Sequence, residues 1–178
     1  ITMLFDIAFN FIIAKEGGYV DDPYDKGGAT KYGISSRFIK ANDLKIKDVK
    51  ELTLLQAKEI YSIFFWHPLK IDKINDSTVQ LFLFDTAVNC GKEKAVFLLQ
   101  ESISSISISN IAVDGRIGNE TIGTCNSITS QPKSCKLLKQ LLLSKRIAYY
   151  VHIVNVDKSQ RKFLRGWVNR TLDVFKNE

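Results

Sequence analysis

LFDIAFNFIIAKEGGYVDDPYDKGGATKYGI, residues 4–34, joins an apolar run to a turn-rich loop, and Glu16 stands at the joint. Leu4 to Lys15 is apolar on nearly every helical face, which predicts a central, buried helix rather than a surface one. Gly17 follows where a helix needs its C-terminal cap. Residues 16–34 then hold five glycines and four acidic side chains, a composition that predicts tight turns with room for a small hairpin. The run lacks a basic leader and a small-residue cleavage site, and carries Asp6 and Asn10. It is read as a mature helix, so export needs a route other than ordinary signal-peptide secretion.

Three polar groups in this stretch have a spacing with chemical meaning: Glu16, Asp25 and Thr30. A carboxylic acid that donates a proton near neutral pH needs its pKa raised, and both burial and the negative end of a helix dipole act in that direction at Glu16. Asp25 lies in a glycine-rich, hydrated turn where a carboxylate stays ionised. One protonated and one charged carboxylate is the arrangement that glycosidic cleavage requires. Thr30 is placed to position a water. Against this stands the commonplace reading, in which a glutamate closes a helix and aspartates cap turns.

The rest of the chain bounds the problem. Its 178 residues, 45% hydrophobic and 25% charged, suit a globular protein with a real core. No apolar run approaches the ~20 residues of a membrane helix, so membrane insertion is not expected. Cys90, Cys125 and Cys135 are an odd number without C-x-x-C spacing, and the two histidines lie far from them. Free thiols are expected, a Cys125–Cys135 disulfide being the alternative, and neither a metal nor a cofactor is implied. Residues 133–178 carry eleven lysines and arginines against three acids, which fits either an anionic polymer as partner or a solvated helix face. With no arginine-rich stripe and no helix-turn-helix, nucleic acid is not the expected partner.

Helix signals recur along the chain. Ser35-Ser36 opens one helix, and Thr53 to Gln56 is a capping box ahead of a helix that His67-Pro68 closes. Asp76-Ser77 caps TVQLFLFDTAVNC, which Gly91 stops; Lys92 to about Ser105 follows. A turn at 114–118 precedes a short helix from Asn119. Pro132 starts a long helix through Val154, and Gln160 to Phe175 forms the last. The expected class is mostly α, a lysozyme-like α+β fold: a helical bundle around a buried N-terminal helix, with a small hairpin-rich catalytic loop.

E-G-G-Y-x-x-D-P-x-D-x-G-G-x-T-x-x-G-I, from Glu16 to Ile34, resembles the signature of glycoside hydrolase family 108, bacterial and phage N-acetylmuramidases. The Glu16, Asp25, Thr30 spacing also resembles that of phage lysozymes, with one residue fewer before the threonine. IYSIFFWHPLK (60–70) resembles the family's tyrosine-and-tryptophan helix, and FDTAVNCGKEKAVFLLQ (84–100) its D-x-A-V-N-x-G segment. DGRIGNET (114–121) and FLRGWVNR (163–170) resemble the peptidoglycan-binding half that usually follows.

The resemblance implies Glu16 as catalytic acid, a catalytic part at 3–91 and a peptidoglycan-binding part at 92–178, packed as one unit. It also implies glycan strands and peptide stems as partners of a monomeric enzyme. Such an enzyme is expected to be made in the bacterial cytoplasm and to work at the wall, in release of a toxin or other protein or in lysis. The base is chosen among Asp21, Asp22 and Asp25, with Asp25 preferred because it precedes the double glycine. Tyr19, Asp21, Tyr24 and Tyr32 flank the acid as cleft residues, core packing being the alternative for each tyrosine. Asn89 is expected as an amide donor to an N-acetyl group, or else as a cap, and Asp85 as a buried hydrogen-bonding group. Arg165, Trp167, Asn169 and Arg170 are expected to meet peptide stems. Asp114 and Arg116 are expected to brace a turn, and Trp66 to pack in the core. A lytic transglycosylase and a non-catalytic wall-binding module are the competing functions.

Overall fold

A computed structural model of the chain describes residues 2–16, 18–19, 28–107 and 111–176. Gly17, Asp21, Asp22, Tyr24 and Asp25 lie outside the described residues. The class is the expected one, mostly α with one two-stranded hairpin. The chain divides into two compact units, residues 1–66 and 67–178.

The first unit holds α1 (Thr2–Glu16), strands β1 (Thr30–Lys31) and β2 (Ile34–Ser35), α2 (Ser36–Ala41) and α3 (Leu54–Tyr61). Its helix starts follow from local hydrogen bonding. Ser35 caps α2 by accepting from the Phe38 N–H, and Thr53 with Gln56 closes a reciprocal capping box on α3. After α3 the chain widens into one π turn, Ser62–Trp66, ahead of Pro68. Trp66 is buried, its ring edge-on to Phe5 at 5.2 Å, the core role expected of it.

Burial of α1 is one-sided. Ala8, Phe9 and Ile12 are buried, whereas Ile7 is 60% exposed and Leu4 41% exposed. An apolar stripe all round a helix states how much surface is available for burial, and the neighbours decide how much is used. Here Phe9 meets Tyr61 and Phe5 meets Trp66, all on one face.

The second unit contains α4 (Ser77–Cys90), α5 (Lys92–Ser104), α6 (Asn119–Thr129), α7 (Pro132–Val156) and α8 (Arg161–Val174). Helix α7 starts with proline at its first turn, where a missing N–H costs nothing. It packs against α4, α5, α6 and α8. Helix α4 is buried on every face over its middle, where Phe82 to Ala87 are all buried. Among the described residues no helix is long and apolar enough to cross a membrane. All three cysteines are free thiols, and burial pushes Cys125 up to about 12.

Candidate active site

Glu16 is the last residue of α1 and is half-buried. Its side chain is seated on the hairpin turn. At Gly33 a Cβ would stand 2.7 Å from Glu16 Cγ, 2.9 Å from its Cδ and 2.6 Å from Tyr61 Oη. Only a residue without a side chain lets the carboxyl arm and the phenol converge here.

The turn itself explains the second demand on this position. Thr30 pairs with Ser35 and Lys31 with Ile34, which leaves Tyr32-Gly33 as a two-residue loop. Such loops favour left-handed backbone at both positions, matching strand twist, and the φ values are 54° for Tyr32 and 74° for Gly33. For tyrosine that conformation costs about 1–2 kcal/mol. Tyr61, itself only 1% exposed, helps hold it by donating from Oη to the Tyr32 carbonyl at 3.0 Å. One buried phenol therefore anchors the turn and borders the carboxylate.

Thr30 is half-buried in β1, on the same hairpin. Tyr19 is 38% exposed, with the Lys50 ammonium 5.3 Å from its ring centre. Lys31 places its ammonium 5.5 Å from the Tyr32 ring and donates to the Lys50 carbonyl at 2.6 Å. Tyr19, Lys50, Lys31 and Tyr32 thus form one alternating aromatic and cationic face. Lys31 and Lys50 carry no pattern that singles them out in sequence; Tyr61 is the tyrosine of the tyrosine-and-tryptophan segment at 60–70, a resemblance that gave it no role beside the acid. Gly33 was visible only as part of a glycine-rich run. Lys15 turns its ammonium back over Phe11, 5.4 Å from the ring centre.

Two expected binding residues lie in the second unit, where α4, α7 and α8 meet. Asp85 is fully buried and holds two guanidiniums: Arg146 Nη1 at 2.6 Å from Oδ2 and Arg170 Nε at 2.8 Å from Oδ1. Burial lowers the pKa of Arg146, but the Asp85 carboxylate together with Tyr150 and Cys90 more than offsets it, so the net direction is upward. Arg170 was expected on a peptide-binding surface; its side chain is instead turned inward and only 11% exposed, because a carboxylate buried in α4 needs its charge met. Asp85 is therefore the buried hydrogen-bonding group expected of it.

Arg146 also donates from Nε to Tyr150 Oη at 3.0 Å, and Tyr150 Oη lies 2.9 Å from Asn89 Oδ1. Burial raises the Tyr150 phenol above its ordinary value, and the Cys90 thiol is raised chiefly by burial too. Trp167 is half-buried between two near-parallel rings, Tyr150 at 5.0 Å and Phe163 at 5.8 Å. Asp114 and Arg116 brace their turn, as expected: the Arg116 N–H and Gln100 Nε2 both donate to Asp114 Oδ1.

Comparison with known proteins places this geometry. Residues 9–91 match the family model described as Glycosyl hydrolase 108, and residues 94–172 match one described as Predicted Peptidoglycan domain. Residues 9–91 thus resemble a glycosyl hydrolase 108 domain and residues 94–172 a peptidoglycan domain, a pairing that supports the class of peptidoglycan hydrolases. Among solved structures it is similar to that of SagA from Brucella abortus, at 26% identity and a TM-score of 0.77. That match covers 98% of this chain and 92% of SagA. No curated protein matches the chain.

Proposed function

We propose that the protein is an N-acetylmuramidase, hydrolysing the β-1,4 bond between N-acetylmuramic acid and N-acetylglucosamine with Glu16 as general acid. The observation that carries this reading is the seat of Glu16: a carboxyl arm pressed onto a glycine of the hairpin turn, inside the segment that matches the hydrolase family. A general acid must be held in one place to protonate a leaving oxygen, and packing on two sides restricts its rotamers. Tyr19 and Tyr32, each beside a lysine ammonium, would form one wall of the sugar cleft.

Asp25 is the proposed base, with Asp21 and Asp22 as the other carboxylates of the same loop, and Thr30 the group that positions water. A base that activates water on the far face of the sugar gives inversion at the anomeric carbon. The catalytic part is taken as 3–91 and the wall-binding part as 92–178. We assign the activity to the cell wall, as a monomer.

Digestion of purified peptidoglycan tests the reading. Muramidase action gives reducing ends, and E16Q, which keeps the shape and removes the transferable proton, should slow release of fragments by about 10²–10⁴. An anhydro product, lighter by one water, would make the protein a transglycosylase. Binding to sacculi with no fragments released by wild type would leave a wall-binding module. An E16Q enzyme as fast as wild type would remove Glu16 from the mechanism.

A further inference from the structure

Within the second unit, the buried chain from Asp85 to Asn89 can be followed proton by proton. A guanidinium only donates, so at the Arg146 Nε to Tyr150 Oη contact the phenol oxygen is the acceptor. The Cys90 thiol, 3.4 Å away, donates to the same oxygen. A phenol has one proton, and its remaining close partner is Asn89 Oδ1 at 2.9 Å. Tyr150 therefore donates to Asn89, which settles the orientation of the carboxamide: its oxygen faces Tyr150 and its NH2 group faces away. That NH2 group takes no partner among the described residues, and Asn89 is half-buried rather than buried.

A carboxamide held this rigidly, with its acceptor consumed and its donors left over, is suited to recognise an acceptor oxygen on a ligand. Space lies alongside: Cys90, the next residue, lines a groove of about 520 Å³ with Gly91, Lys94, Phe97 and Tyr149. That volume is within the range of small-molecule sites.

We propose that Asn89 Nδ2 donates to the carbonyl oxygen of a substrate acetamido group, and that Tyr150 is a positioning residue, its proton directed onto Asn89 by Arg146. The proposal rests on the muramidase reading. Asp85 secures Arg146 and so sets the direction of the whole chain. A plain structural role for Asn89 would require only that Tyr150 keep an acceptor, and aspartate supplies one in nearly the same shape.

The test is steady-state kinetics of wild type, N89D and Y150F on native and on chemically de-N-acetylated peptidoglycan, with folding followed by circular dichroism. N89D keeps the acceptor for Tyr150 and replaces the outward donor with an acceptor. It should fold as wild type does and raise KM on native peptidoglycan about 3–10-fold, the range of one lost hydrogen bond, with kcat changed less. Y150F should raise KM in the same sense. On the de-N-acetylated polymer the three enzymes should have similar KM values. A folded N89D with wild-type KM on native substrate overturns the proposal, and so does an equal rise in KM on both substrates. A wild type that releases no fragments from native peptidoglycan removes the muramidase reading itself, and the acetamido assignment with it.

Discussion

Gly33 shows how much a single residue decides here. Its φ of 74° is a conformation that side chains resist, and the place of its missing Cβ is already taken by Glu16 and Tyr61. Alanine there pays both penalties at once, about 1–2 kcal/mol for the left-handed backbone plus whatever movement relieves the clash. Two of the three close contacts lie on the carboxyl arm, so movement that relieves the clash displaces Glu16 as well as the Tyr61 phenol. G33A should lower kcat on peptidoglycan about tenfold or more while thermal melting shows only the modest stability loss, for a misplacement of about 1 Å can cost 10²-fold. A G33A enzyme with normal kcat would show that the seat does not control the acid. Glu16 is legible in the sequence through its place at a helix end, a purely local feature. The contact of Tyr61 with the turn is not legible there, because it depends on how α3 and the hairpin pack.

Among the elements, the turn at 114–118 is tied down by one residue of α5. Gln100, 1% exposed, accepts from the N–H groups of Asp114 and Gly115 through Oε1, and donates through Nε2 to Asp114 Oδ1, the Arg116 carbonyl and Thr121 Oγ1. Q100A strands two backbone donors, and each buried unsatisfied group costs about 1–3 kcal/mol. Urea denaturation should show a loss of about 2–4 kcal/mol. The same turn carries a pH signature. The Arg116 N–H first, and Gln100 second, hold the Asp114 carboxyl below its ordinary 3.8. A carboxyl depressed on folding adds stability above its unfolded pKa and loses it as pH falls through the folded value. Wild type should therefore exceed D114N in stability at pH 5–7, with the gap closing below about pH 3.8. A gap that stays constant down to pH 2 would assign the difference to shape rather than charge.

Across the chain, residues 85, 146 and 170 bring α4, α7 and α8 to one buried charge cluster. D85N would leave two guanidiniums facing each other without a counter-charge. Breaking a buried pair from one side costs about 3–5 kcal/mol, so D85N should lower the urea midpoint sharply. Replacing Asp85 and Arg146 together by apolar residues of similar size should cost less than D85N alone. If the double replacement costs more, the cluster contributes net stability rather than specificity.

By itself the sequence determined the boundaries of the helices and the class of the fold. Ser35, Thr53 with Gln56, Asp76 and Pro132 act on backbone groups within a few residues of themselves, so their effects can be read along the chain. The place of Glu16 beside a glycine-rich hairpin was legible for the same reason. Tertiary structure alone decided which face of α1 is covered, that Arg170 turns inward, and that Tyr150 orients Asn89 across 61 residues of chain. Those outcomes depend on neighbours brought together by folding, and no local propensity specifies a neighbour.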